Sequence, residues 1–236
     1  VSLPPSCTCA PSRSALPSPG LEVSDTSRLA KLPFVLSLKK LMTRYRFAKK
    51  PNEHGVGAFR ESGTLFIRVP KNATSSVCDL LYSDVQSTDL PGHQSAEFFR
   101  FAVPDVYANS VVCASIRNPR ERFSSAFNYY KHSTTIPQAR QLMDEELSFI
   151  ETMDDFIAYL KAQPDLEATK IMRWHHFRRQ VDFITAPNGQ IIVDLLFAVE
   201  DPHDAIALLQ KHSGFSGQLE RKNTSTGDRT GDWPDF

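Results

Sequence analysis

The chain has 236 residues, 41% hydrophobic and 10% aromatic, enough to bury one substantial core. Its 27 basic and 27 acidic side chains cancel, which excludes the polybasic character of a general nucleic-acid binder. The apolar patch Leu32 to Met42 is too short, and too interrupted by lysines, to cross a bilayer.

Residues 1–30 carry Pro4-Pro5, Pro17 and Pro19-Gly20 among serines and lack periodicity, so they read as a linker or stem. One folded domain is expected over 31–236. The chain does not begin with methionine, which is compatible with an upstream membrane anchor.

The first strong element is Leu65-Phe66-Ile67-Arg68-Val69, a buried strand set off by Gly63 and stopped by Pro70. Lys71-Asn72-Ala73-Thr74-Ser75-Ser76 then leads into Val77, Leu80, Leu81 and Tyr82 at helical spacing. The hydroxyls thus fall in the first helical turn. Unpaired backbone N–H groups, the helix dipole, the hydroxyls and a lysine converge there, which suits an oxyanion. The segment lacks the glycines of a Walker A loop. An ordinary strand-to-helix turn capped by Thr74 or Ser75 is the alternative reading.

Val111 to Ile116 is a second apolar strand, with Arg117 at its carboxyl end. Pro119 starts a helix through Phe123, Ala126, Phe127 and Tyr130, and Ser125 lies in its second turn on a face that can look back toward Arg117. An arginine fork beside a hydroxyl suits a phosphate monoester. Alternatively, Arg117, Arg120 and Arg122 are solvated or paired with Glu121 and aspartates.

Further along, Met153 to Leu160 and Lys170 to Arg179 read as helices. Pro187-Asn188-Gly189 is a turn between strands near 181–185 and 191–197, and Asp201-Pro202 starts a helix through Ala205, Leu208 and Leu209. This alternation predicts an α/β fold, a central parallel β-sheet flanked by helices, with ligand at the carboxyl ends of the strands. Segments 84–100 and 132–150 and the tail after 226 read as variable loops. Lys39-Lys40, Arg44, Arg46, Lys49-Lys50 and the stretch Arg173 to Arg179 could line an anionic groove or be solvated helix faces. Cys7 and Cys9 fall in the loose segment, whereas Cys78 and Cys113 read as buried thiols. His132, His175 and His176 match no zinc spacing, so no metal is expected.

The two loop segments, in this order, resemble the paired signatures of sulfotransferases that use 3′-phosphoadenosine 5′-phosphosulfate (PAPS). The likeness is to the Golgi-type, membrane-associated carbohydrate group that includes the heparan and chondroitin enzymes. There, a strand followed by Pro-Lys-Thr-Ala-(Gly/Ser)-Thr-Ser cradles the 5′-phosphosulfate, and Arg-Asn-Pro-x-x-Arg-x-x-Ser binds the 3′-phosphate. Asn72 stands where the group usually has threonine, and Arg117 to Ser125 matches throughout. Gly92-His93 lies where relatives carry a histidine base. Val181-Asp182-Phe183-Ile184 resembles a later core strand, and Leu195 to Asp201 and Lys222-Asn223-Thr224-Ser225 also fit. The likeness covers about residues 62 to 226.

The resemblance implies a P-loop-like sulfotransferase fold and transfer of a sulfuryl group from PAPS to a hydroxyl, with a sugar as acceptor and no metal. Lys71, Asn72, Ala73, Thr74, Ser75 and Ser76 would hold the phosphosulfate, with Lys71 also catalytic. Arg117 and Ser125 would take the 3′-phosphate, with Lys222 in a loop on the cofactor side, and His93 would be the base. It also implies a Golgi location. The sequon Asn72-Ala73-Thr74 points toward the cytoplasm instead, because a glycan there would block the loop. Two other readings stand: a P-loop phosphotransferase, with Asp194 the one weak candidate for an acidic metal ligand, and a catalytically silent relative that binds nucleotide or glycan.

Overall fold

The computed structural model describes residues 55–214 except 84, 87, 136 and 166–170. The stem at 1–30, the lysine-rich stretch 39–50, Cys7, Cys9 and Lys222 lie outside the described residues.

The first described helix, α1 (Val56–Ser62), is framed by Gly55 and Gly63, both left-handed at φ 69° and 63°. At Gly55 a Cβ would stand 2.3 Å from the carbonyl oxygen of Asp89, so only glycine fits. Gly63 ends α1 and turns the chain into β1 (Thr64–Ile67). Every residue of β1 is buried, which is why its sequence is a continuous apolar run.

Strand β1 pairs in parallel with β2 (Val111–Ile116), and β2 pairs in parallel with β3 (Leu195–Ala198). In register, Ile67 stands beside Ala114, and Ala114 beside Leu196. Parallel neighbours require long crossovers. The first carries α2 (Thr74–Leu81), α3 (Ala96–Ala102) and α4 (Pro104–Asn109). The second carries α5 (Pro119–Asn128), α6 (Pro137–Gln141), α7 (Met153–Ala162) and α8 (Val181–Ile184), and α9 (His203–Ser213) follows β3. The described residues therefore form an α/β fold with a small three-stranded parallel sheet flanked by helices.

The outer edge of β1 is closed by a side chain. The Tyr82 hydroxyl accepts from the Phe66 N–H at 3.0 Å and donates to the Thr64 carbonyl at 2.9 Å. Two buried backbone groups that lack a strand partner are satisfied in this way. Burial holds the Tyr82 phenol well above its ordinary pKa.

Two cores result. One wraps the sheet with Phe59, Leu65, Phe66, Val77, Phe99, Val112, Phe183 and Leu209. The other is aromatic, built from Phe127, Tyr130, Phe156 and Phe177, with Phe123 and Trp174 packed against it. Phe127 and Phe156 stack at 5.1 Å between ring centroids. Thr152 opens α7 with a capping box, its side chain accepting from the Asp155 N–H while the Asp155 carboxylate accepts from the Thr152 N–H.

Three expectations need correction. Residues 181–184 form the helical turn α8 rather than a strand. Phe183 and Ile184 are both buried in sequence and Arg179 pairs with Asp182 three residues on, a spacing that closes a turn. Of the strand expected at 191–197, only the end enters β3, and Ile191 contributes a single antiparallel bridge to Thr185. The intervening turn at Gly189, φ 82°, stands as expected. The helix expected over 170–179 runs from Ile171 as successive tight turns, with the Trp174 N–H donating to the Ile171 carbonyl and the Phe177 N–H to that of Trp174. Trp174, His176 and Phe177 all pack on the aromatic cluster from one short stretch, which a regular helix would not allow.

Cys78 and Cys113 are buried free thiols, as the sequence predicts, and burial pushes the Cys78 thiol up to about 12. Among the described residues no helix is long and apolar enough to cross a membrane.

Candidate functional site

Because β1 and β2 are parallel neighbours, the segments following them emerge side by side at the carboxyl end of the sheet. Lys71 to Ser76 leaves one strand and Arg117 to Ser125 the other.

The first loop is bent into a shape that non-glycine residues rarely take. Lys71 and Ala73 both lie in the left-handed region, at φ 65° and 53°. Each position costs on the order of 1 kcal/mol or more. Thr74, Ser75 and Ser76 form the first turn of α2, and no side chain caps its start at Ala73. The capped-turn alternative is therefore not realised. The bent loop and the uncapped helix turn together make a concavity of backbone N–H groups of the kind that receives anions.

Four hydrogen bonds hold this bend. Asn72, fully buried, donates both amide hydrogens, to the Ser115 carbonyl and to Gln180 Oε1, each at 2.7 Å. The Ser115 hydroxyl donates back to the Asn72 carbonyl at 2.8 Å, and Arg122 Nε donates to the Pro70 carbonyl at 2.9 Å. Asn72 thus shapes the loop through both amide hydrogens, while its buried Oδ1 has no hydrogen-bond partner among the described residues and its carbonyl is taken by Ser115. A glycan on its amide is incompatible with this fold.

The second loop is relaxed. Asn118 caps α5, its side-chain oxygen accepting from the N–H groups of Arg120 and Glu121, and Pro119 fills the first helical position. The Arg117 guanidinium pairs with Glu121 at 3.2 Å, both side chains partly exposed. That part of the alternative reading holds. Ser125 lies half-buried on α5, four residues beyond Glu121, the carboxylate that Arg117 pairs with.

Positive charge gathers around the first loop. Lys71 Nζ lies 4.7 Å from the centre of the Tyr129 ring, and burial, then the Arg117 charge, lowers its pKa. Among the described residues no carboxylate pairs with Lys71 or Arg122. Arg122 is buried, its Nη2 has no hydrogen-bond partner among the described residues, and burial lowers its pKa to about 10. An orphaned buried guanidinium N–H beside an N–H-rich loop fits a polyanionic ligand.

His93 is brought to the same place. Its Nδ1 lies 2.7 Å from the Arg68 carbonyl, which can only accept, so Nδ1 carries the proton and Nε2 the lone pair. Arg68 Nη1 in turn donates to the Pro91 carbonyl at 3.1 Å, fastening the loop that bears His93 to the end of β1. Burial lowers the His93 pKa to about 4, with smaller contributions from His175, Arg68 and Lys71. The imidazole is neutral at physiological pH. His175 and His176 stand 4.9 and 5.8 Å from it between ring centroids, and His176 packs on Tyr129 at 4.5 Å. His132 is exposed on the turn 129–133. Among the described residues no group of histidine, cysteine or carboxylate side chains could hold a metal ion.

Four residues at this site have roles that the sequence reading did not assign. Ser115 had a signal, a polar residue inside a buried strand. Gln180, Tyr129 and His176 had none, since their partners lie far away in sequence. No protein-family model, curated protein or solved structure matches this chain.

Proposed function

We propose that this chain is a PAPS-dependent sulfotransferase with a P-loop-like sulfotransferase fold that acts on a hydroxyl, with a sugar as the acceptor. The observation that carries the reading is the convergence of a strained, N–H-rich loop bearing Lys71, a neighbouring arginine loop, and a neutral histidine with a free Nε2. The bound cofactor supplies the sulfuryl group and a bisphosphate leaving group.

The chain's own residues do the rest. The backbone of 72–76 and the hydroxyls of Thr74, Ser75 and Ser76 would hold the phosphosulfate end, and Arg117 with Ser125 the 3′-phosphate. Arg117 would release Glu121 to do so, which costs little because an exposed pair contributes about 1 kcal/mol or less. Lys71 would neutralise charge growing on the leaving phosphate. His93 Nε2 would accept the proton of the acceptor hydroxyl. An anionic cofactor would offset the Lys71 and Arg68 charges, the smaller causes that favour the neutral ring, while burial, the largest, would remain. By resemblance the enzyme would work in the Golgi lumen, whereas the buried sequon at Asn72 favours the cytoplasm.

The phosphotransferase reading loses its metal ligand. Asp194 precedes β3 and accepts from the Val112 N–H at 2.9 Å, at the amino end of the strands, opposite the two loops.

The test is transfer from PAPS to a panel of glycans, read as release of adenosine 3′,5′-bisphosphate. Lys71→Ala and His93→Ala are both expected to lose transfer by about a hundredfold or more. Lys71→Ala also weakens nucleotide binding, whereas His93→Ala leaves it nearly intact. Equal loss of nucleotide affinity in both variants contradicts the base assignment.

A further inference from the structure

The amide of Gln180 spans the two loops. It sits at the start of α8, and its Nε2 donates to the Arg117 carbonyl at 2.8 Å. Its Oε1 accepts from the Arg117 N–H at 3.0 Å and from Asn72 Nδ2 at 2.7 Å. One side chain, 63 residues from Arg117 and 108 from Asn72 in sequence, therefore clamps the backbone of the second loop and the shaping residue of the first. Asn72 and Ser115 tie the first loop to strand β2 itself, and Gln180 extends that tie past the strand's end to the segment that aims Arg117.

We propose that Gln180 is a positioning residue that fixes the spacing between the two anion sites, and so selects nucleotides carrying phosphate groups at both ends. The inference rests on the nucleotide reading above. A ligand that engages two sites at once gains over one that engages a single site only when their separation is already set. If the loops drift, the second contact must be ordered at the moment of binding and the advantage shrinks. A nucleotide with one phosphate uses one loop and does not sense the spacing. In a Gln180→Ala chain, Asn72 keeps its bond to Ser115, so the first loop alone retains its shape.

The experiment is titration of the full chain with adenosine 3′,5′-bisphosphate, adenosine 5′-phosphate and adenosine 3′-phosphate, before and after Gln180→Ala. Gln180→Met, similar in length and without polar atoms, is measured beside it, and thermal unfolding shows which variants are folded. The native chain is expected to favour the bisphosphate over either monophosphate by about a hundredfold. In the variants that preference should fall to about tenfold or less, with monophosphate affinities changed by less than about threefold. Preserved preference in a folded variant overturns the inference. So does a parallel loss for all three ligands, which marks Gln180 as fold support only. Failure of the native chain to bind the bisphosphate overturns instead the nucleotide reading on which the inference rests.

Discussion

The two loops leave neighbouring strands at the same end of the sheet, yet they are held in opposite ways. The Lys71 loop is strained at two residues and locked from below by Asn72, Ser115 and Arg122, mostly through buried groups. The Arg117 loop has an ordinary helix cap and a backbone held by Gln180 and Glu200, while its guanidinium is held by one partly exposed carboxylate. Backbone strain and buried side-chain locking are concentrated where reacting charge would develop. The loop assigned to the far end of the ligand keeps an arginine that can change partner. This division suits electrostatic preorganisation, which requires fixed donors at the reacting centre and only affinity at the remote end.

The largest break in the comparison should come from exchanging the type of damage. Asn72→Ala leaves the Ser115 carbonyl and the Gln180 amide short of donors in a buried place, and urea unfolding should show a loss of about 3 kcal/mol. Arg117→Ala removes a partly exposed pair and should cost less than about 1 kcal/mol in the same measurement, while weakening bisphosphate affinity by about tenfold or more. Comparable stability losses in both variants would erase the distinction.

Acid should act through the buried histidines beside the first loop. The unfolded histidine takes up a proton near 6.5, whereas folded His93 stays neutral down to about 4 and His176 down to about 3. Between these values the unfolded state binds more protons, so stability falls as pH is lowered through that window. His175 is lowered by burial in the same direction, so His93→Gln removes one of several contributions, and the difference between the native and variant stability curves should flatten above pH 6.5. A difference independent of pH would contradict the buried neutral imidazole.

Smaller effects sharpen the contrast. Asn118→Ala deletes an N-cap and should lower the unfolding free energy by about 1 kcal/mol. Ala73→Gly should move the other way. Relief of about 1–2 kcal/mol of left-handed strain exceeds the added chain entropy of glycine, leaving a net gain of up to about 1 kcal/mol in thermal unfolding. Destabilisation by Ala73→Gly would mean that the bend carries no strain.

Much of this architecture was legible in the sequence because it rests on local signals. Val111 to Ile116 is a strand from its apolar run, Pro119 opens a helix through its fixed φ, and the hydroxyls of Thr74 to Ser76 fall in a first helical turn. The aromatic cluster was only partly legible, because Phe127 and Phe156 come from helices but Tyr130, Trp174 and Phe177 join them from the turns at 129–133 and 171–180, where packing partners override helical period. Residues 181–184 misled for a related reason: Val-Asp-Phe-Ile has strand composition, and the Arg179 to Asp182 pair settles it as a turn. At the site, Lys71, Arg117 and His93 could be chosen by type and order, whereas Gln180 is joined to them only by the fold.

Under the proposed function, the two separately built loops hold the two ends of one nucleotide. Calorimetric titration with adenosine 3′,5′-bisphosphate tests it most directly, with ATP and magnesium as the control ligand and Arg117→Ala as the site variant. The account predicts micromolar or tighter binding of the bisphosphate, none comparable for ATP, and at least about a tenfold loss in the variant. Absence of bisphosphate binding, or a preference for ATP with magnesium, would contradict it.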